Sequence, residues 1–195
     1  MPRPRAFDRD RAVVAAMKLF WRKGYAATSL DDLLTVMQIG RGSFYASFTD
    51  KRSLFVECLK LFGQGTRAFA RSENMRADPV AVVRCFFEST LTGVPEHRLQ
   101  KGCMLVNTVL ELADNDPELC HLASQELQAV QTSFEQAFRS ARRQGTLKSR
   151  LSPHELACYV MTVNQGLRVQ SRKSASPKEL QAIVDTSLSL IGLAT

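Results

Sequence analysis

The chain has 195 residues, 45% of them hydrophobic and 23% charged, enough to bury one sizeable core or two smaller ones. No apolar run approaches the roughly 18 residues of a membrane span, so no membrane partner is expected. The N-terminal MPRPRAFDRDR also lacks an apolar signal segment, which makes the cytoplasm the expected compartment. Residues 1–60 hold 11 Lys/Arg against 6 Asp/Glu, and residues 61–195 hold 15 against 13. Most of the formal +7 therefore sits in under a third of the chain, as in a nucleic-acid-binding head.

The apolar pattern is helical almost throughout, with no hairpin signal, repeat or low-complexity tract, and predicts an all-α chain of about nine helices. Val13, Met17, Phe20 and Trp21 stripe a first helix that Gly24 ends. Ser29 is placed to cap a second, with Asp31 and Asp32 in its first turn, where the helix dipole favours acids. Asp50 opens a helix through Leu54, Phe55, Leu59 and Phe62. Asp78-Pro79 is a strong start signal, TGVPEHRLQKG reads as a loop, and helices follow over 103–113 and 117–144. Ser152-Pro153 and Ser176-Pro177 open the last two.

Between the second and fourth helices lies QIGRGSFYASF, which has no acid and two glycines. Three short helices with a tight turn before the third form a helix-turn-helix arrangement. GYAATSLDDLLTVMQIGRGSFYASFTDKRSLF resembles the TetR family of bacterial transcriptional regulators: Gly24-Tyr25, Thr28-Ser29, Phe44-Tyr45, Phe48 and Asp50-Lys51 occur in the family's order. The resemblance covers about residues 8–62 at motif level. It implies a DNA-binding head over residues 1–50 and a helical ligand-sensing and dimerisation domain over 51–195.

On this reading Arg41 reaches a guanine edge or a phosphate, and Gly42, Ser43 and Ser47 keep the exposed side low enough to enter a groove. Tyr45 resembles the family tyrosine that bonds a phosphate, Lys51 meets another, and Thr28 and Ser29 complete the DNA-facing set. Phe44 and Phe48 point the other way, onto Phe20 and Leu33. The family's turn glycine is replaced by Gln38, at a cost of about 1 kcal/mol if the residue is left-handed. A dimer would present two heads to a palindromic operator, in successive major grooves about 34 Å apart. Leu156, Val160, Val163 and Leu167 of the penultimate helix, with Leu180, Val184, Leu188 and Ile191 of the last, are the expected dimer contacts.

In the larger domain, Phe87, Phe134 and Asn107 are candidates to line a pocket for an unknown small-molecule inducer, although the aromatics would equally make an ordinary core. Cys103 follows Gly102 at a helix start with His97, Arg98 and Lys101 upstream, a setting that favours a thiolate. The KGC entry resembles the electrophile-sensing, NemR-like branch of the family and implies redox or electrophile sensing, with simple packing as the alternative. Cys58, Cys85, Cys120 and Cys158 are expected to be inert core. No catalytic signature, cofactor motif or metal-ligand spacing is present, so an enzyme built on Cys103 and His97, or a nonspecific nucleic-acid binder, are the competing readings.

Overall fold

A computed structural model describes residues 8–70, 78–173 and 176–190. Among these the chain is entirely helical, with no strand. Helices α1 (Arg9–Lys23), α2 (Leu30–Met37) and α3 (Arg41–Ser47) form the head, and α4 (Lys51–Ala70) leads out of it. Then come α5 (Pro79–Phe87), the single turn α6 (Glu96–Leu99), α7 (Met104–Leu112), the long α8 (Pro117–Arg143), α9 (Pro153–Arg172) and α10 (Pro177–Leu190).

The starts are set by local chemistry. Asp8, Ser29, Asp78, Asp116 and Ser152 each accept a hydrogen bond from a first-turn amide, and Ser29 and Ser152 close full capping boxes with Asp32 and Glu155. Two details depart from the sequence expectation. The segment read as a loop contains α6, and α5 continues past Phe87 as a π-helical turn over Glu88–Thr92 rather than as α-helix.

Two apolar clusters organise the molecule. One joins α5, α6, α9 and α10 to the second half of α8, through Phe86, Phe87, Phe134, Phe138 and Val160. The other gathers Phe20, Leu33, Phe44 and Phe48 of the head with Phe55 of α4, and it also takes Met104, Leu105 and Leu112 from α7 and Cys103 just before it. Helix α7, more than fifty residues beyond the head in sequence, is thus packed in the head's own core. Among the described residues no helix is long and apolar enough to cross a membrane.

Candidate nucleic-acid interface and the elements behind it

Helix α3 is held from beneath. Phe44 is fully buried, and its ring lies 5.5 Å from that of Phe48 and 5.4 Å, edge-on, from that of Tyr45. Arg9 stacks over Phe48 at 4.8 Å while its guanidinium forms a bidentate pair with Glu57 at 2.6 and 2.7 Å. The opposite side of α3 is open: Arg41, Gly42 and Ser43 are exposed, Tyr45 is 53% exposed, and Ser47 is half-buried. Nothing lies within 4 Å of where a side chain would begin at Gly42. Arg41 reaches across to Asp31 at 2.8 Å, an exposed pair that exchanges easily for another anion.

The turn into α3 closes at Gln38, whose φ of 56° and ψ of 41° are left-handed. It is the sole non-glycine with positive φ among the described residues. Its amide and that of Ile39 bond back to Thr35 and Leu34 at 3.3 and 3.2 Å, so the turn keeps the closed form without the glycine.

Three of the expected DNA-facing residues turn out to be engaged within the chain. Thr28 is 1% exposed and its hydroxyl donates to the Gly24 carbonyl at 2.6 Å, so its side chain shapes the α1–α2 turn and does not face outward. The Lys51 ammonium also points inward. It donates to the carbonyls of Tyr25 and Thr28 at 3.0 and 2.9 Å and sits 4.3 Å over the Tyr25 ring, and burial pushes it below its ordinary pKa. The Lys51 side chain is therefore not free for a phosphate. Ser29 is exposed, but its hydroxyl is tied to Asp32. Lys23 and Ser29 together hold that carboxyl far below the usual carboxylate range.

Two family models match the chain. The family described as "Bacterial regulatory proteins, tetR family" matches residues 12–58, and "Tetracyclin repressor-like, C-terminal domain" matches residues 79–186. The chain belongs to the TetR family. It is a DNA-binding transcriptional regulator and not an enzyme. It is 29% identical to the uncharacterised regulator YezE of Bacillus subtilis, over 98% of this chain and 100% of that one. It is 27% identical to the repressor ComR of Escherichia coli, over 96% and 90%. A cysteine mutant of the TetR-family regulator CifR, solved with 26-base-pair operator DNA, superimposes with a TM-score of 0.78 at 29% identity, covering 96% and 98%.

Behind the TetR-type head, α7 reaches the α1–α2 turn directly. The Glu111 carboxylate accepts from the amides of Tyr25 and Ala26 in the α1–α2 turn. At the other end of α7, the Gly102 carbonyl accepts from Trp21 Nε1 of α1 and from Arg168 Nη1 of α9, both at 3.2 Å. Gly102 has a φ of +67°, and a side chain there would press on Asn107 and Arg172, so glycine is required where three elements meet. Cys103 caps α7 and is 5% exposed, a more enclosed position than its sequence setting suggests.

Two cavities lie beside these contacts. The first, about 390 Å³, lies between α1, α4, the π turn, α6 and α9, walled by Val14, Met17, Trp21, Leu61, Phe62, Gly65, Thr66, Ser89, Thr90, Arg98 and Arg168. The second, about 320 Å³, is lined by Asn107, Glu111, Arg172 and the end of α1. Asn107 thus borders a cavity, with its Nδ2 on the Lys101 carbonyl at 2.8 Å. Phe87 and Phe134 line neither: both are buried in the larger cluster, Phe134 edge-on to Phe86 at 5.0 Å.

The expected dimer residues need a similar correction. Leu156, Val160, Leu167, Leu180, Val184 and Leu188 are all buried within the single chain, because α9 and α10 use that stripe to cover the larger cluster. Val163 is half-buried against the same cluster, and Ile191 lies outside the described residues. The outward face carries Thr162, Gly166, Val169, Ile183 and Thr186, with Val169 at 40% and Ile183 at 44% exposure.

Two cysteines expected in the core are also placed differently. Cys85 is exposed, and half-buried Cys158 lies 3.4 Å from His154 Nε2 and accepts from Gln131 at 3.1 Å. Cys58 is fully buried, which pushes its thiol well up.

Proposed function

We propose that the chain is a homodimeric repressor acting in the cytoplasm, with residues 1–50 as its DNA-binding head and 51–195 as its sensing and dimerisation domain. It binds a palindromic operator and releases it when a small molecule binds or Cys103 is modified. The observation that carries this reading is α3: a short, acid-free helix anchored by Phe44 and Phe48, with a low outer face of Arg41, Gly42, Ser43, Tyr45 and Ser47. Such a face admits the helix to a major groove, with Arg41 and Tyr45 meeting base edges or phosphates and Ser29 close by.

The dimer is supported by a general argument, that one such head makes too few contacts for a selective complex. The outward stripe of α9 and α10, from Thr162 through Gly166 and Val169 to Ile183, is small and apolar and suits a twofold helical interface. Release is supported by α7, which begins at Cys103 and holds the α1–α2 turn through Glu111. Any change at Cys103 that moves this helix moves the head.

Selecting binding sites from random duplexes tests the core of the reading. An enriched palindrome with half-sites one helical turn apart is expected, whereas affinity without a preferred site would leave a nonspecific binder. For the thiol, oxidants and quinones should release the selected operator from the wild type but not from Cys103→Ser. Equal release from both would remove Cys103 from the mechanism.

A further inference from the structure

Arg168 carries a positive charge at every accessible pH and offers five N–H donors in a fixed fork. In this chain it is 7% exposed, on a helix that buries mostly apolar side chains. One of its donors, on Nη1, reaches the Gly102 carbonyl. Its Nε is buried and has no partner among the described residues. The other buried polar atom in that condition is Asn164 Oδ1, one turn earlier on the same helix. No described carboxylate pairs with Arg168. Among its neighbours are Arg98, a cation of the same sign, and the buried Cys103. A buried charge left this way is unfavourable unless something supplies the opposite sign.

Arg168 lines the cavity between α1, α4 and α9, and so does Arg98, while no described acidic residue does. The facing wall is apolar, with Trp21 and Phe62 packed edge-on at 5.2 Å. Thr90 lies at the side with its hydroxyl proton on the Phe86 carbonyl, which leaves its oxygen free to accept. At about 390 Å³ the space falls in the range of small-molecule sites.

We propose that this cavity is the effector site, and that it takes a small carboxylate with an apolar body, its head held by Arg168 and its body against Trp21 and Phe62. The proposal rests on the reading of the chain as an effector-controlled regulator and names the class of effector. The coupling is local. Arg168 and Trp21 share the Gly102 carbonyl, so an anion that turns the guanidinium toward the cavity alters a bond that also fixes α1 of the head.

Trp21 is the single tryptophan of the chain, so intrinsic fluorescence reports occupancy directly. The full-length protein is titrated with hexanoate, octanoate and phenylacetate, and in parallel with their uncharged amides. The carboxylates should change Trp21 emission and raise Tm, with affinities at least tenfold above those of the amides. Arg168→Met should erase the tenfold preference while keeping a helical spectrum and an unreduced Tm, because it removes a buried unpaired charge; Arg168→Lys should keep part of it. Equal affinity for acids and amides overturns the anionic head, and no response to any of the six compounds overturns the site. The operator recovered by selection separates the two readings. An operator bound with no carboxylate preference leaves the regulator standing and removes this site. Carboxylate preference without any selected operator does the reverse.

Discussion

The carboxylate of Glu111 accepts hydrogen bonds from the backbone amides of Tyr25, at 3.1 Å, and of Ala26, at 2.8 Å. The two parts of this contact are 86 residues apart in sequence, one on α7 and the other in the turn that aims α2 and α3. Gly24 makes room for it. Its φ is +86°, and a side chain there would begin 2.7 Å from Glu111 Oε2. Hydrogen bonds to an ionised acceptor are stronger than neutral ones. Glu111→Ala should therefore cost about 1–2 kcal/mol, a fall in Tm of roughly 2–8 °C at this size. Operator affinity should fall further than stability alone explains, and Glu111→Gln should do less of both. Thermal melts with operator titrations check this; unchanged operator affinity in a folded Glu111→Ala protein would show that the turn is held by other contacts.

Gln38 is strained in a way that a single substitution relieves. Its left-handed backbone costs an ordinary residue about 1–2 kcal/mol, and glycine avoids that penalty at some loss of chain entropy. Gln38→Gly should therefore raise stability by about 1 kcal/mol, seen as a rise of roughly 2–4 °C in Tm. Because the turn already has the closed form, operator affinity should stay within twofold. A lower Tm would mean that the Gln38 side chain contributes more than its backbone costs.

The parts of this fold that were legible in sequence are those fixed locally. Asp78-Pro79 and Ser152-Pro153 announce helix starts through caps within three residues, and the four-residue spacing of Phe44 and Phe48 puts both on one face. What sequence did not disclose is which neighbour meets each side chain. The stripe through Leu156, Val160 and Leu167 marks a buried face equally well whether its own chain or a second copy covers it, and here its own chain does. Lys51 at a helix start has the chemistry for a phosphate, yet two carbonyls from the α1–α2 turn lie closer. Arg168 left one faint trace, a cation beside the largely apolar stripe of its helix. Its meaning depends on a cavity assembled from α1, α4 and α9.

Lys51 and Arg41 should respond differently to truncation. Removing the Lys51 ammonium leaves the Tyr25 and Thr28 carbonyls without this donor, so Lys51→Met should destabilise by about 1–3 kcal/mol. It should leave the salt dependence of operator binding unchanged. Arg41→Ala should scarcely alter Tm, since its pair with Asp31 is exposed. If Arg41 meets a phosphate, that substitution should also lower the slope of log affinity against log salt by about one per head. A reduced slope for Lys51→Met would mean that the ammonium swings outward on DNA.

Acid should loosen the junction between α4 and α8. The Arg52 guanidinium, aided by the Leu119 amide, holds the Asp116 carboxyl below its ordinary value, and Arg52 also pairs with Glu118 at 2.7 Å. Because the folded form binds this proton less readily than the unfolded form, the contribution is complete above the unfolded pKa of about 3.9. It is lost as pH falls below that value toward the folded one. Between about pH 6 and pH 3, Tm should drop more steeply for the wild type than for Asp116→Asn, with the two curves converging at the acid end. Parallel curves would show that other carboxylates dominate acid unfolding.

The two faces of α9 and α10 make opposite predictions for a charge. Val160 is 1% exposed and packed in the larger cluster, so Val160→Asp buries an unpaired carboxylate and should abolish cooperative folding. Ile183 is 44% exposed, so Ile183→Asp should be harmless to an isolated chain. If the outward stripe is the dimer face, however, the twofold axis brings like charges together at its centre, and the protein should sediment as a folded monomer. That monomer should lose tight operator binding by orders of magnitude while keeping its helical spectrum, because each head is intact but no longer tethered to its mate. Sedimentation with operator titration reads both effects. A dimer that survives both Ile183→Asp and Val169→Asp would move the interface to another surface.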